Sequence, residues 1–208
     1  MGKVFLALAL ALAISPLVFF SLWPRSLISA APAATHEELA RRDGIPYLGP
    51  QSSSLEVTVF TDYRCQHCKR LHESLQTLRA ELPGLKVLHR HWPILGDESV
   101  ACARLAIAAD LLRQYDGADA AMAKLSKQSS SLDRDGLLQE AGFDVPRLKA
   151  VAARHQRDID QRLAANKALA KALGLQGTPA IVIGGQLIEG APTLATLRQM
   201  LVRPAQAP

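Results

Sequence analysis

FTDYRCQHCKRLH, residues 60–72, sets two cysteines three positions apart between an apolar run and a helical pattern. The pair has three chemical readings: half of a metal site, a structural cross-link, or a redox couple. Upstream, LEVTVF (55–60) is β-branched and ends on an aromatic, the mark of a buried strand. Downstream, Leu71, Leu75, Leu78 and Leu82 recur at steps of three and four. That periodicity predicts a helix from Gln66 to Leu82, stopped by Pro83-Gly84. LKVLHRHW (85–92) reads as a second strand. Strand, helix and strand in this order form a right-handed parallel βαβ unit. Cys65 stands at the joint where the helix begins.

After that unit the pattern is helical for a long stretch. ESVACARLAIAADLLRQY (98–115) is rich in Ala and Leu, and shorter helical segments follow, punctuated by Gly117 and Gly142. Asp144-Val145-Pro146 is a helix opening, with Asp as cap and Pro in the first turn. Leu148, Val151, Ala152, His155, Ile159, Leu163 and Leu169 mark one face of a single long helix ending near Gly174. Strand character returns at AIVIGGQLIEG (180–190), where Gly184-Gly185 predicts a hairpin turn, and TLATLRQMLV (193–202) closes with a helix. A simple helical crossover needs only about a dozen residues. The stretch between the second and third strands is several times longer, so an all-helical subdomain interrupts a small α/β domain. The boundaries read as 34–54 for a linker or entry segment, 55–95 and 174–202 for the two parts of the α/β domain, and 96–173 for the insertion.

The chain has 208 residues, 49% hydrophobic and 21% charged, enough for one packed domain with an insertion. Its net charge of +5 comes from basic residues scattered among acidic ones, without a Lys/Arg block interleaved with aromatics, so no nucleic-acid partner is expected. Residues 1–33 read as a targeting segment. Lys3 precedes an apolar run from Val4 to Trp23, and Ala31-Pro32-Ala33 offers an A-x-A cleavage pattern. The run also matches the length of a bilayer span. A cleaved signal peptide and an N-terminal membrane anchor both stay open, although Arg25 just beyond the run suits an anchor badly. Either reading puts the rest of the chain outside the cytoplasm, where disulfides persist.

A zinc site built on Cys65 and Cys68 needs a second pair of ligands. Only Cys102 and the dispersed His36, His72, His89, His91 and His155 are on offer. His89 and His91 flank Arg90 on a strand and face one way. A structural disulfide across so short a loop adds little stability, because stabilisation grows with loop length. The redox reading fits best. Cys65 occupies a helix N-terminus, where unpaired N–H groups and the helix dipole favour a thiolate, and Cys68 points inward one turn later. His67 is placed to add positive charge or a hydrogen bond to the Cys65 sulfur. With the Cys65 pKa at about 4.5 in place of about 8.5, the thiolate would be favoured by about 2.5 pK units at pH 7, which moves a two-electron potential about 70 mV toward oxidising. Cys102, in an Ala/Leu helix, reads as a buried free thiol.

FTDYRCQHC followed far downstream by GTPAIVIGGQLIEGA resembles the DsbA-like thiol–disulfide oxidoreductases of the thioredoxin superfamily. HWPILGDESVACARLAIAA and DGIPYLGP resemble that family too, and the likeness spans about residues 40–202 in the family's order. The resemblance implies a thioredoxin fold with an inserted all-helical subdomain. It makes Cys65 the exposed nucleophile and Cys68 the buried resolving cysteine. It gives His67 a tuning role between them; Gln66 departs from the proline often found there and leaves the potential open. It implies that Thr178-Pro179 is the cis-proline loop that lies against the cysteines and receives an extended substrate chain.

The expected function is a periplasmic dithiol oxidase that introduces disulfides into unfolded exported proteins with free thiols. The resemblance implies reoxidation by a DsbB-like membrane redox partner, and no cofactor or metal is called for. An isomerase or reductase of the same fold, a copper- or zinc-binding chaperone and a non-catalytic chaperone are the competing readings.

Overall fold

The computed structural model describes residues 28–30, 33–125 and 129–202. The apolar run Val4–Trp23 and part of the A-x-A pattern lie outside these residues. Among the described residues, no helix is long and apolar enough to cross a membrane.

The βαβ unit forms where the sequence places it. β3 (Glu56–Thr61) leads through Cys65 into α2 (Gln66–Glu81), and the chain returns as β4 (Lys86–His91). β3 and β4 are parallel, with Val57 opposite Val87 and Phe60 opposite Arg90. The hairpin forms as well: β5 (Ala180–Ile183) and β6 (Gln186–Glu189) pair across Gly184-Gly185, both of which take positive φ. β5 also runs antiparallel to β3, with Phe60 opposite Ala180. Two short edge strands complete a six-stranded sheet in the order β1-β6-β5-β3-β4-β2. β1 is Ile28–Ala30 and β2 is Tyr47–Leu48. The chain thus has the thioredoxin fold.

Period-two alternation divides the core. Val57 and Val59 of β3 and Ile181 and Ile183 of β5 face one cluster, which also takes Leu71, Leu75 and Leu78 of α2. Phe60, Ala180 and Val182 face the other cluster, with Leu39, Trp92, Leu169 and Leu173. β4 is buried at all six positions, as expected of a strand with helices over both faces.

Between β4 and β5 lies the all-helical insertion: α3 (Asp97–Leu111), α4 (Tyr115–Met122), α5 (Ser131–Glu140), α6 (Val145–Arg154) and α7 (Gln156–Ala172). Ser130 and Asp133 form a reciprocal capping box on α5, and the Asp144 side chain caps α6 by accepting from the Arg147 amide at 3.0 Å. α8 (Leu194–Val202) packs beside α2 at the end of the chain.

Two expectations change. The stretch read as one long helix is two, divided at His155 (φ −102°, ψ 15°). Both halves pack on α3 and then diverge: α6 also meets α5, whereas α7 goes on to β4 and to the N-terminal helix α1 (Ala33–Ala40). One straight helix does not follow both surfaces. The segment read as a linker is also structured: α1 (Ala33–Ala40) overlaps its start, followed by β2. Arg90 ties α1 down. Its buried guanidinium donates to the Glu38 carbonyl at 2.7 Å, the Arg41 carbonyl at 2.9 Å and Asn166 Oδ1 of α7 at 3.4 Å. A cation at these carbonyls also complements the α1 dipole.

Gly49, just after β2, has φ +94°, and a Cβ there would run into the Leu85 carbonyl oxygen. Gly84 has open space at the same position. Urea unfolding should find Gly49→Ala destabilised by about 2 kcal/mol or more, through left-handed strain plus a backbone clash. Gly84→Ala should stay within about 0.5 kcal/mol of the parent or gain slightly.

Candidate active site

Cys65 is the N-cap of α2, in extended backbone conformation (φ −85°, ψ 118°). Its amide donates to the Asp62 carbonyl at 3.0 Å, and its own carbonyl accepts from Lys69 at 3.0 Å. Asp62 fixes the approach. One carboxylate oxygen accepts the Arg64 amide at 2.9 Å; the other accepts the amides of Ile94 and Leu95 at 2.8 and 3.1 Å. The turn before Cys65 is therefore tied to the loop between β4 and α3. Sequence reading missed Asp62. An Asp three residues before the first cysteine, with the i to i+2 bond of an Asx turn, was the available signal.

The Thr178-Pro179 bond is cis and lies beside the cysteine. The sheet explains why. β3 ends four residues before Cys65, β5 begins two residues after Thr178, and the Phe60–Ala180 pairing joins those ends. Gly190 holds the loop from behind by donating to the Pro179 carbonyl at 2.8 Å. The Cys65 thiol donates to the Thr178 carbonyl at 3.3 Å.

Cys65 and Cys68 are both free thiols in this structure, Cys65 half-buried and Cys68 buried. The hydrogen bond from the Cys68 thiol is the main reason that the Cys65 pKa falls to about 5, against the upward push of partial burial. The Cys68 amide, the Thr178 side chain and the His67 amide pull the same way. Burial, followed by the bond to Cys65, pushes Cys68 strongly upward. The two sulfurs have opposite characters: one ionises readily at the surface, and one keeps its proton beneath it. At pH 7 the Cys65 thiolate outnumbers its thiol about a hundredfold.

His67 is exposed, and its ring nitrogen Nδ1 accepts from Arg70 at 2.6 Å. Its contribution to Cys65 comes through the backbone amide. Gln66 is exposed in the first turn of α2. Cys102 is fully buried on α3, and burial pushes its thiol up to about 12, so it is unreactive. Among the described residues no three His, Cys, Asp or Glu side chains are grouped to hold a metal ion. His89 and His91 do share one face of β4, but they meet Tyr63, Tyr115 and Asp119 in a buried polar cluster. Asp119 carried no sequence signal, since it comes from the insertion.

The DSBA-like thioredoxin domain matches residues 56–202, and the chain belongs to that family. A solved thioredoxin-like oxidoreductase from Silicibacter pomeroyi DSS-3 is 27% identical at a TM-score of 0.75, covering 86% of this chain and 100% of its own. The thiol-disulfide exchange protein alpha-DsbA2 from Wolbachia pipientis is 26% identical at 0.74, covering 81% of this chain and 91% of its own. A periplasmic thioredoxin-like protein from Salmonella enterica serovar Typhimurium is 25% identical at 0.70, covering 83% and 97%. Comparison with curated proteins gave no match.

The folded Cys65 pKa lies below the ordinary thiol value of about 8.5. Its contribution to the stability of the reduced protein is thus complete above about pH 8.5 and is lost as pH falls toward 5. Thiolate absorbance of the reduced protein should titrate with a midpoint near pH 5. Cys68→Ala should move that midpoint up by about a unit or more, because the dominant stabilising bond is lost. Cys102→Ser should leave it in place.

Proposed function

We propose, from membership of the DSBA-like thioredoxin family, that this protein is a periplasmic dithiol oxidase that forms disulfides in exported proteins. The reading rests on one observation: Cys65, at a helix N-terminus, has its thiol lowered to about 5 while Cys68 beneath it is raised. Catalysis starts from the Cys65–Cys68 disulfide. A substrate thiolate attacks the Cys65 sulfur, forming a mixed disulfide, and Cys68 leaves and takes up a proton. A second substrate thiolate attacks the substrate sulfur of that bond. The substrate departs with a disulfide, two electrons remain on the enzyme, and Cys65 leaves as a thiolate.

A low thiol pKa helps at that last step, because the better leaving group departs faster. It also stabilises the reduced enzyme relative to the disulfide. A hundredfold thiolate excess is worth about 60 mV toward oxidising, less the part that solvent screens at a half-exposed group. Thr178 and Pro179 serve as the substrate-binding edge: an extended client chain pairs with the backbone beside Cys65. Gln66 and His67 line the exposed rim of the pair. Reoxidation falls to a DsbB-like membrane redox partner, with unfolded proteins bearing free thiols as clients.

Oxidised protein mixed with a reduced two-cysteine peptide should form the peptide disulfide stoichiometrically, and Cys65→Ser should abolish the reaction. Reduction of insulin disulfides without dithiol oxidation would assign the reductase direction instead.

A further inference from the structure

The start of α2 carries cations where helix starts ordinarily favour Asp and Glu, because the dipole is positive there. Its first turn holds no acidic residue; Lys69 closes that turn and Arg70 follows. Arg64 stands just before Cys65. Lys69 is half-buried, and Arg70 is exposed. The Lys69 amine donates to the Lys124 carbonyl at 3.4 Å, which brings Lys124, exposed just past α4, to the same rim. Ala123, next to it, lines one small cavity with Cys68 and Lys69. The helical insertion thus adds a cation to the surround of the cysteine pair.

Among the described residues, no carboxylate pairs with Lys69, Arg70 or Lys124; Arg70 donates to His67 Nδ1 at 2.6 Å instead. The other end of α2 differs. There Arg79 pairs with Asp116 at 3.5 Å, and Glu81 pairs with Arg198 at 2.7 Å. The carboxylates nearest the cysteines are committed or set back. Asp62 is buried and accepts three backbone amides. Glu189, on the side of the Thr178 loop, accepts from the Gln176 amide at 3.2 Å. Glu73 lies a further turn along α2. The cations are not the main support of the Cys65 anion either, since its thiol is lowered chiefly by hydrogen bonds, led by the one from Cys68. Their charge is directed outward, around the reactive sulfur.

We propose that the basic rim of Lys69, Arg70 and Lys124 selects clients whose reactive cysteine is flanked by acidic residues. The rim surrounds the sulfur that reacts, so its occupant is the thiol-bearing chain itself. A client paired with the Thr178 edge sets its cysteine against Cys65. In an extended chain, residues two or three positions from that cysteine lie about 7–10 Å away. Lys69 is four residues on from Cys65, a helical spacing of about 5–6 Å between Cβ atoms, and its long side chain spans the remainder. Client carboxylates at those positions meet the ammonium and guanidinium groups of the rim. The attacking client thiolate is also an anion, and opposite charge around the site raises its local concentration. The exchange at the sulfurs is the one already described; the rim acts on encounter and on the lifetime of the mixed disulfide.

This proposal rests on the thiol–disulfide reading, and the test separates the two. Oxidised full-length protein is mixed by stopped flow with reduced two-cysteine peptides that differ only in the residues flanking the cysteines: Glu, Ser or Lys. Rates are taken per thiolate, because a flanking carboxylate itself raises the thiol pKa. At low salt the Glu peptide should react roughly 10-fold faster than the Lys peptide, with the Ser peptide between them, and the ratio should fall toward one in about 0.5 M salt. The combined variant Lys69→Glu, Arg70→Glu, Lys124→Glu should reverse the preference, an outcome that misfolding does not produce. Lys69→Gln with Arg70→Gln should bring the ratio toward one and keeps the test open where the reversed variant does not fold. Arg147→Gln, Arg154→Gln and Arg157→Gln together, which neutralise three exposed cations on α6 and α7, should leave the ratio in place. Equal rates for the Glu and Lys peptides, a ratio indifferent to salt, or an equal loss in the Arg147, Arg154 and Arg157 variant overturns the proposal. Oxidation of no peptide, whatever its charge, would instead overturn the functional reading and the proposal with it.

Discussion

The site depends on holding one sulfur between two pieces of chain that lie 113 residues apart. Cys65 starts α2, and its thiol meets the carbonyl of Thr178 at 3.3 Å. Neither piece makes the site alone. The helix start supplies amides and the bond from Cys68; the loop supplies a polar backbone edge and a buried proline ring. The antiparallel β3–β5 pairing brings them together and is fixed by a core on both faces of the sheet. A one-residue slip in that pairing would exchange the two faces and carry Thr178 away from the cysteine.

The opposite behaviour of the two thiols follows from the same geometry. They stand one helical turn apart, yet one is half open to solvent at the helix N-terminus and the other is sealed beneath it. The buried thiol donates its hydrogen bond outward and so stabilises charge on its neighbour. Burial penalises an anion on Cys68 itself. On the proposed reading, that asymmetry separates a nucleophile and leaving group, Cys65, from a partner that stays protonated, Cys68.

Much of this was legible in the sequence because it is local. The βαβ unit, the glycine hairpin and the Asp144 cap are written in periodicity and in a few residues with special backbone roles. The cysteine pair announces its chemistry by its place between a strand and a helix. What stayed hidden is non-local. His155 keeps the apolar spacing of a continuous helix, and the break follows from what the two halves pack against. Residues 34–54 carry turn residues but also the α1 helix, which Arg90 secures from a distant strand. His89 and His91 were seen to share a face. That this face meets Tyr115 and Asp119 depends on how the insertion folds back over β4, which no short stretch of sequence encodes. Of the two effects expected of His67 on Cys65, positive charge or a hydrogen bond, the His67 amide supplies a hydrogen bond, and the ring meets Arg70.

The central claim is that Cys65 is held as an anion once the disulfide opens. The pH dependence of the Cys65–Cys68 reduction potential tests it most directly. With the Cys65 pKa at about 5, two protons accompany two electrons below that pH and one above it. The slope should therefore change from about 59 mV per pH unit below pH 5 to about 30 mV above it. A single slope of about 59 mV running straight through to pH 8 would contradict the account, because the sulfur would then ionise like any free cysteine.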